Sequence, residues 1–138
     1  MSELTASCLA KGESMQVHDV AKIRLALSAL ERRANEYLGS FGDCSIGVGR
    51  YVPGSSPWER HRNGDELLYV MDGSARIEVL EESGNSSVEL LTNGSLFVVP
   101  QARWHQLTAE DSVSILYVSP SEDGADRQKE RPREDGGG

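Results

Sequence analysis

The chain has 138 residues with 14 basic and 22 acidic side chains, a formal charge of -8 at pH 7. That length fits one domain able to bury a core without disulfides, and that charge argues against nucleic acid or an anionic membrane as partner, because phosphates would be repelled. No apolar run approaches the roughly 20 residues that a helix needs to cross a bilayer, and no basic segment followed by an apolar core opens the chain, so a cytoplasmic location is expected.

Residues 1–16 lack clear periodicity and are expected to form a flexible leader. Cys8 lies there and Cys44 further on, with no metal or redox spacing between them. Val20, Ile23, Leu27, Leu30 and Ala34 then recur at helical spacing behind Asp19, a suitable N-cap. His18 beside them has no ligand partner nearby and reads as a solvated or capping histidine. From Glu36 onward the texture changes, as glycines 39, 42, 47, 49 and 54 punctuate short runs of the kind that strands and turns make. Residues 44–52 read as a strand with Ile46, Val48 and Arg50 on one face and Gly47, Gly49 and Tyr51 on the other. The glycine face leaves room for a ligand or, more simply, for a neighbouring group to pack closely.

After the rigid connection 53–57 comes the focal stretch 59–73. It places Glu59, His61 and Glu66 around an Asn63-Gly64 turn and runs into Leu67-Leu68-Tyr69-Val70-Met71, apolar on both faces and therefore expected to be covered on both. Residues 76–80 and 88–91 read as a hairpin with a polar tip, 92–94 as a turn, 96–99 as a buried strand, 100–103 as a loop delivering Trp104 and His105, and 113–118 as the last strand. After Pro120 the composition is charged with almost no apolar residues, so 121–138 are expected to be disordered and 17–120 to form the single domain. Many short strands with one helix at the start predict an all-β protein, an antiparallel double-sheet jelly-roll barrel whose mouth is a natural concave site.

His61, Glu66 and His105 amount to two imidazoles and a carboxylate, a set that suits divalent iron, manganese, nickel, cobalt or zinc and leaves coordination positions open for substrate or water. Two of the chain's three histidines lie at the starts of predicted apolar strands. A buried histidine hydrogen-bonded to a carboxylate is the structural alternative.

At these residues the chain resembles the cupin family. His61, four intervening residues, Glu66, six more and Gly73 follow the family's first motif from its second histidine onward. Gly94, five intervening residues, Pro100 and then His105 keep the spacing of the second. Glu59 stands in place of the first motif's first histidine, while Ala102 and Ala109 replace the second motif's glycine and asparagine. The resemblance implies one divalent metal held by His61, Glu66 and His105, with Glu59 as a fourth ligand, a general base beside the metal or a surface carboxylate. A carboxylate there favours iron(II), manganese or zinc over copper(I), and family dioxygenases acting on 3-hydroxyanthranilate work with two histidines and one glutamate. Arg50, Tyr51 and Trp104, near the expected barrel mouth, are the candidates for holding substrate, Arg50 as an anion clamp. The reading is therefore a metal-dependent enzyme acting on a small polar molecule by oxygenase, isomerase or lyase chemistry. The alternative is a non-catalytic ligand-binding cupin serving as sensor or accessory protein. The family's habit also implies a homodimer, which would cover the second face of the central strand unless the helix does.

Overall fold

The structure, a computed structural model, describes residues 15–133. Most of the expected leader and the last residues of the expected tail lie outside the described residues. Helix α1 (Val20–Ser28) is followed by β1 (Ala34–Phe41), β2 (Cys44–Tyr51), β3 (Gly54–Ser55), β4 (Trp58–His61), β5 (Glu66–Asp72) and β6 (Ala75–Leu80). Next come β7 (Ser86–Leu91), β8 (Leu96–Val99), β9 (His105–Ala109) and β10 (Val113–Ser119), then a 3-10 turn (Glu122–Gly124) and β11 (Ala125–Gln128). The strands form two antiparallel sheets, one in the order β1-β2-β10-β5-β8 and the other β11-β4-β9-β6-β7, with β3 attached to β9. This is the double-sheet jelly roll expected. The sheets face each other without closing into a hydrogen-bonded barrel.

Alternation along the strands builds the core between the sheets. In β6, Ala75, Ile77 and Val79 are buried while Arg76 faces out, and in β9 His105, Leu107 and Ala109 are buried in the same rhythm. Leu68 and Val70 of β5 meet them with Val113 and Ile115 of β10. Glu66 continues the inward row of β5, and His105 that of β9. The core's own periodicity thus turns two polar side chains inward at one end.

Asp19 caps α1, its carboxylate accepting the Lys22 amide at 3.2 Å. The helix stops at Ser28, short of the apolar period, and Ala34 lies instead in β1, opposite Arg50. Sheet pairing overrides helical spacing there. The helix packs chiefly on β2 and β1 and meets the end of β5 through the Arg24–Asp72 ion pair at 3.5 Å. The outer face of β5 is accordingly only half covered within one chain: Tyr69 is 39% exposed beside Leu96 at 62%, and Leu67 lies opposite exposed Val98.

The expectation of disorder beyond Pro120 fails over its described part. β11 pairs antiparallel with β4, setting Arg127 opposite Glu59 and Asp126 opposite Arg60. Its partly exposed charges pair with opposite charges in the sheet, Asp126 with Arg60 and Arg127 with Glu59, which is how a segment with few apolar residues can still dock. Among the described residues no helix is long and apolar enough to cross a membrane.

Candidate metal centre

Glu59 and His61 alternate on β4, so both face the same way; Glu66 opens β5 and His105 opens β9, whose register places it opposite Glu59. One ligand atom from each of the four lies within 4.8 Å of the others. His61 Nε2 is 3.3 Å from Glu59 Oε1 and 3.5 Å from Glu66 Oε1, and His105 Nε2 is 3.8 and 3.2 Å from the same two atoms. His61, Glu66 and His105 are buried.

Neighbouring groups hold each carboxylate by its far oxygen. Ser119 donates a short hydrogen bond to Glu66 Oε2, and Arg127 donates to Glu59 Oε2 while bonding Glu122 with its other nitrogens. Both Oε1 atoms are thereby aimed at the imidazoles. His105 Nδ1 lies 3.1 Å from the Arg103 carbonyl; donating there leaves Nε2 as the free donor atom, the usual support for a metal-ligating histidine. Neither nitrogen of His61 has a hydrogen-bond partner, although both are buried. Orphaned buried polar atoms are rare, and two nitrogens with two carboxylate oxygens converging on one point fit a divalent cation of the zinc, iron or manganese kind.

The electrostatics agree with that fit. Burial disfavours a charged His61, yet Glu59 and Glu66 outweigh it and raise its pKa to about 10. Burial likewise opposes the charge on Glu66, but the two imidazoles hold its carboxyl far below the usual range; Glu59 is lowered too, against burial, by His61 and Arg127. Without metal, a proton on His61 serves as the site's cation.

A cavity of about 330 Å³ opens beside the cluster, lined among others by Arg33, Tyr51, Tyr117 and Arg127. The glycine face of β2 makes it possible. A Cβ on Gly49 would lie 3.0 Å from the Tyr51 ring, and one on Gly47 would overlap the Tyr117 hydroxyl, so the glycines seat the two tyrosines that wall the cavity. Burial pushes the Tyr51 hydroxyl up to about 12, Arg33 opposing. Of the residues expected to hold substrate, Tyr51 lies here. Arg50 does not: alternation sends it to the opposite face, where its Nε donates to the Leu30 carbonyl at 2.7 Å and ties the helix connection to β2. Trp104 lies in a separate hollow of about 270 Å³, stacked under Arg60. Sequence reasoning missed Arg33, Ser119 and Arg127. Alternation along β10, which puts Tyr117 and Ser119 on the face of Val113 and Ile115, could have found Ser119; nothing local marks the two arginines.

Two facing antiparallel sheets with a histidine and carboxylate cluster at one end define a small cupin-type protein with a possible metal site. Residues 47–119, more than half of the chain, match the cupin domain family, and the chain belongs to it. Among solved structures it is similar to a cupin-2 domain protein of Shewanella frigidimarina, with 20% identity and a TM-score of 0.60 over 76% of this chain and 94% of that one. It is also similar to oxalate decarboxylase from Bacillus subtilis, with 21% identity and a TM-score of 0.58 over 71% of this chain and 28% of that one. An oxalate oxidase matches at 17% identity and a TM-score of 0.56 over 67% of this chain and 52% of that one. The chain thus spans about half of the oxidase and less of the decarboxylase, and at these identities the likeness shows the fold alone. No curated protein matches the chain.

Proposed function

We propose that the protein is a metal-dependent cupin enzyme acting on a small polar molecule, with His61, Glu66 and His105 as metal ligands and Glu59 as the fourth. The observation that carries this is the convergence of four ligand atoms within 4.8 Å around a histidine whose nitrogens have no other partner. When bound, iron(II), manganese or zinc would polarise a coordinated oxygen or lower the pKa of bound water, and nickel or cobalt would suit the same donors. The chain's own contribution is to aim the four donors and to enclose the space beside them. Ser119 and Arg127 fix the carboxylates, while Tyr51 and Tyr117 wall the cavity. The oxalate enzymes among the similar structures make oxygenase or lyase chemistry the first to screen, with isomerase chemistry next.

One observation favours the non-catalytic reading. Arg127 occupies the far oxygen of Glu59, and His61 together with Arg127 holds its carboxyl low, which makes Glu59 a poor general base and a better ligand. Incubating metal-loaded protein with pooled small polar metabolites and following them by mass spectrometry separates the readings. Consumption of one compound supports an enzyme. Thermal stabilisation by a compound that stays unchanged supports a sensor or accessory protein.

For the partner, we propose a homodimer built on the outer face of β5 and β8, where Tyr69, Leu96 and Val98 stand exposed together. We also propose a cytoplasmic location, which fractionation of cells that make the protein would test.

A further inference from the structure

The cavity beside the cluster contains two guanidinium groups in different circumstances. Arg127 is committed to Glu59 and Glu122. Arg33 has no carboxylate within ion-pair distance among the described residues, and its guanidinium lies 4.9 Å over the Tyr51 ring. A stack on an aromatic face orients a guanidinium while leaving its N–H edges free for an acceptor. The Arg33 side chain borders the same cavity as Glu59, His61 and Glu66.

Charge decides what that cavity would accept. Its charged lining is Arg33, Arg127, Glu59, Glu66 and Glu122, with His61 neutral when it ligates. With a divalent metal in place, one net positive charge remains. A monoanion neutralises it. A phosphate monoester, close to doubly charged near neutral pH, would leave an uncompensated negative charge in a small, half-open cavity. The volume of about 330 Å³ is roughly that of ten water molecules, enough for a molecule of a few carbons.

Building on the metal-loaded reading above, we infer that Arg33, held by Tyr51, is the subsite for the carboxylate of a small organic monoanion whose other end reaches the metal. The free guanidinium supplies paired N–H donors to a planar carboxylate. Arg50, on the far face of β2, has no part in it.

The test uses the full chain loaded with manganese or zinc and isothermal titration with lactate, pyruvate and 2-hydroxybutyrate, each beside its uncharged amide and beside inorganic phosphate. Wild type should bind at least one carboxylate more tightly than its amide and than phosphate. Arg33→Gln should weaken that carboxylate by about tenfold to a hundredfold, the range for one charge-assisted contact, with amide binding and metal content unchanged. Arg33→Lys should recover part of the loss, and Arg50→Gln should match wild type. Equal carboxylate binding by Arg33→Gln, preference for phosphate, or no carboxylate binding by metal-loaded wild type would each overturn the inference while leaving the metal site standing. Failure of wild type to load metal would instead overturn the metal reading and the inference together.

Discussion

Two hollows of this molecule contain similar residues in opposite states. Around Trp104, Arg60 donates twice to Asp126 at 2.9 and 3.0 Å, Arg103 meets Glu82 at 3.4 Å, and Arg131 meets Glu78 at 2.7 Å while lying over Trp58. Each of these three arginines has an acidic partner, and of the arginines lining the hollow it is the exposed Arg133, at its rim, that has none among the described residues, so the buried part of that hollow is accounted for by docking the C-terminal segment against the sheet. Beside the histidines, neither ring nitrogen of His61 makes a well-formed hydrogen bond, Nε2 facing the cluster's own carboxylates, and Arg33 lacks a carboxylate within ion-pair distance among the described residues. Folding satisfies polar groups where it can. A buried group that it leaves over is a candidate for chemistry, and composition alone would not have told these two hollows apart.

The largest effect that sharpens this contrast should come from pH. The folded-state pKa of His61 is raised from 6.5 to about 10, so its contribution to the metal-free protein is complete below pH 6.5 and lost as pH rises through 10. Glu59 and Glu66 are lowered, so their contribution is present above the ordinary carboxylate range and lost as pH falls below it. Metal-free protein should therefore be most stable in mildly acidic solution and lose on the order of a few kcal/mol toward pH 10. Thermal melts with chelator should show that loss, and saturating metal, which displaces the His61 proton, should flatten it. A metal-free melt independent of pH between 6.5 and 10 would contradict the pairing of His61 with the two carboxylates.

Next in size is Ser119→Ala, which frees the far oxygen of Glu66 without touching a ligand. Metal affinity by competition titration should fall by about 10- to 100-fold, as for other groups that orient a ligand. In the other hollow, Arg60→Ala should lower stability to denaturant by about 1 kcal/mol and leave metal affinity where it was; a change in metal affinity would break the distinction between the hollows. The smallest effect belongs to Ala102, which stands at the family's glycine position, has a left-handed φ of 65° and donates its amide to the His61 carbonyl at 2.8 Å. Ala102→Gly should stabilise the protein by about 0.5–1 kcal/mol, relief of the Cβ clash exceeding the added chain entropy.

Much of the site was readable because its ligands sit where motif spacing and core periodicity coincide. Glu66 and His105 each open a strand whose next inward residues, Leu68 and Leu107, are apolar, so a local pattern carried them, whereas His61 shares its face of β4 with Glu59 and was carried by motif spacing. On β2 the glycine face, read as leaving room for a ligand or a neighbouring group, does border the cavity with Tyr51. Arg50 was misplaced because its face, shared with Ile46 and Val48, lies toward α1, where its guanidinium bonds the Leu30 carbonyl. The tail was misread because charge was taken as a sign of solvation, whereas Asp126, Arg127 and Arg131 find opposite charges in the sheet. Arg33 and Arg127 reach the site only through strand register over long sequence separations, which no local pattern encodes.

The central claim is that the four-residue cluster is a metal site. Elemental analysis of protein purified without a polyhistidine tag, comparing wild type with His61→Ala and His105→Ala, tests it most directly. The account predicts about one divalent iron, manganese or zinc per chain in wild type, lost in both variants while circular dichroism keeps its β signature. Wild type that cannot be loaded even after metal is added back, or variants that retain stoichiometric metal, would contradict it.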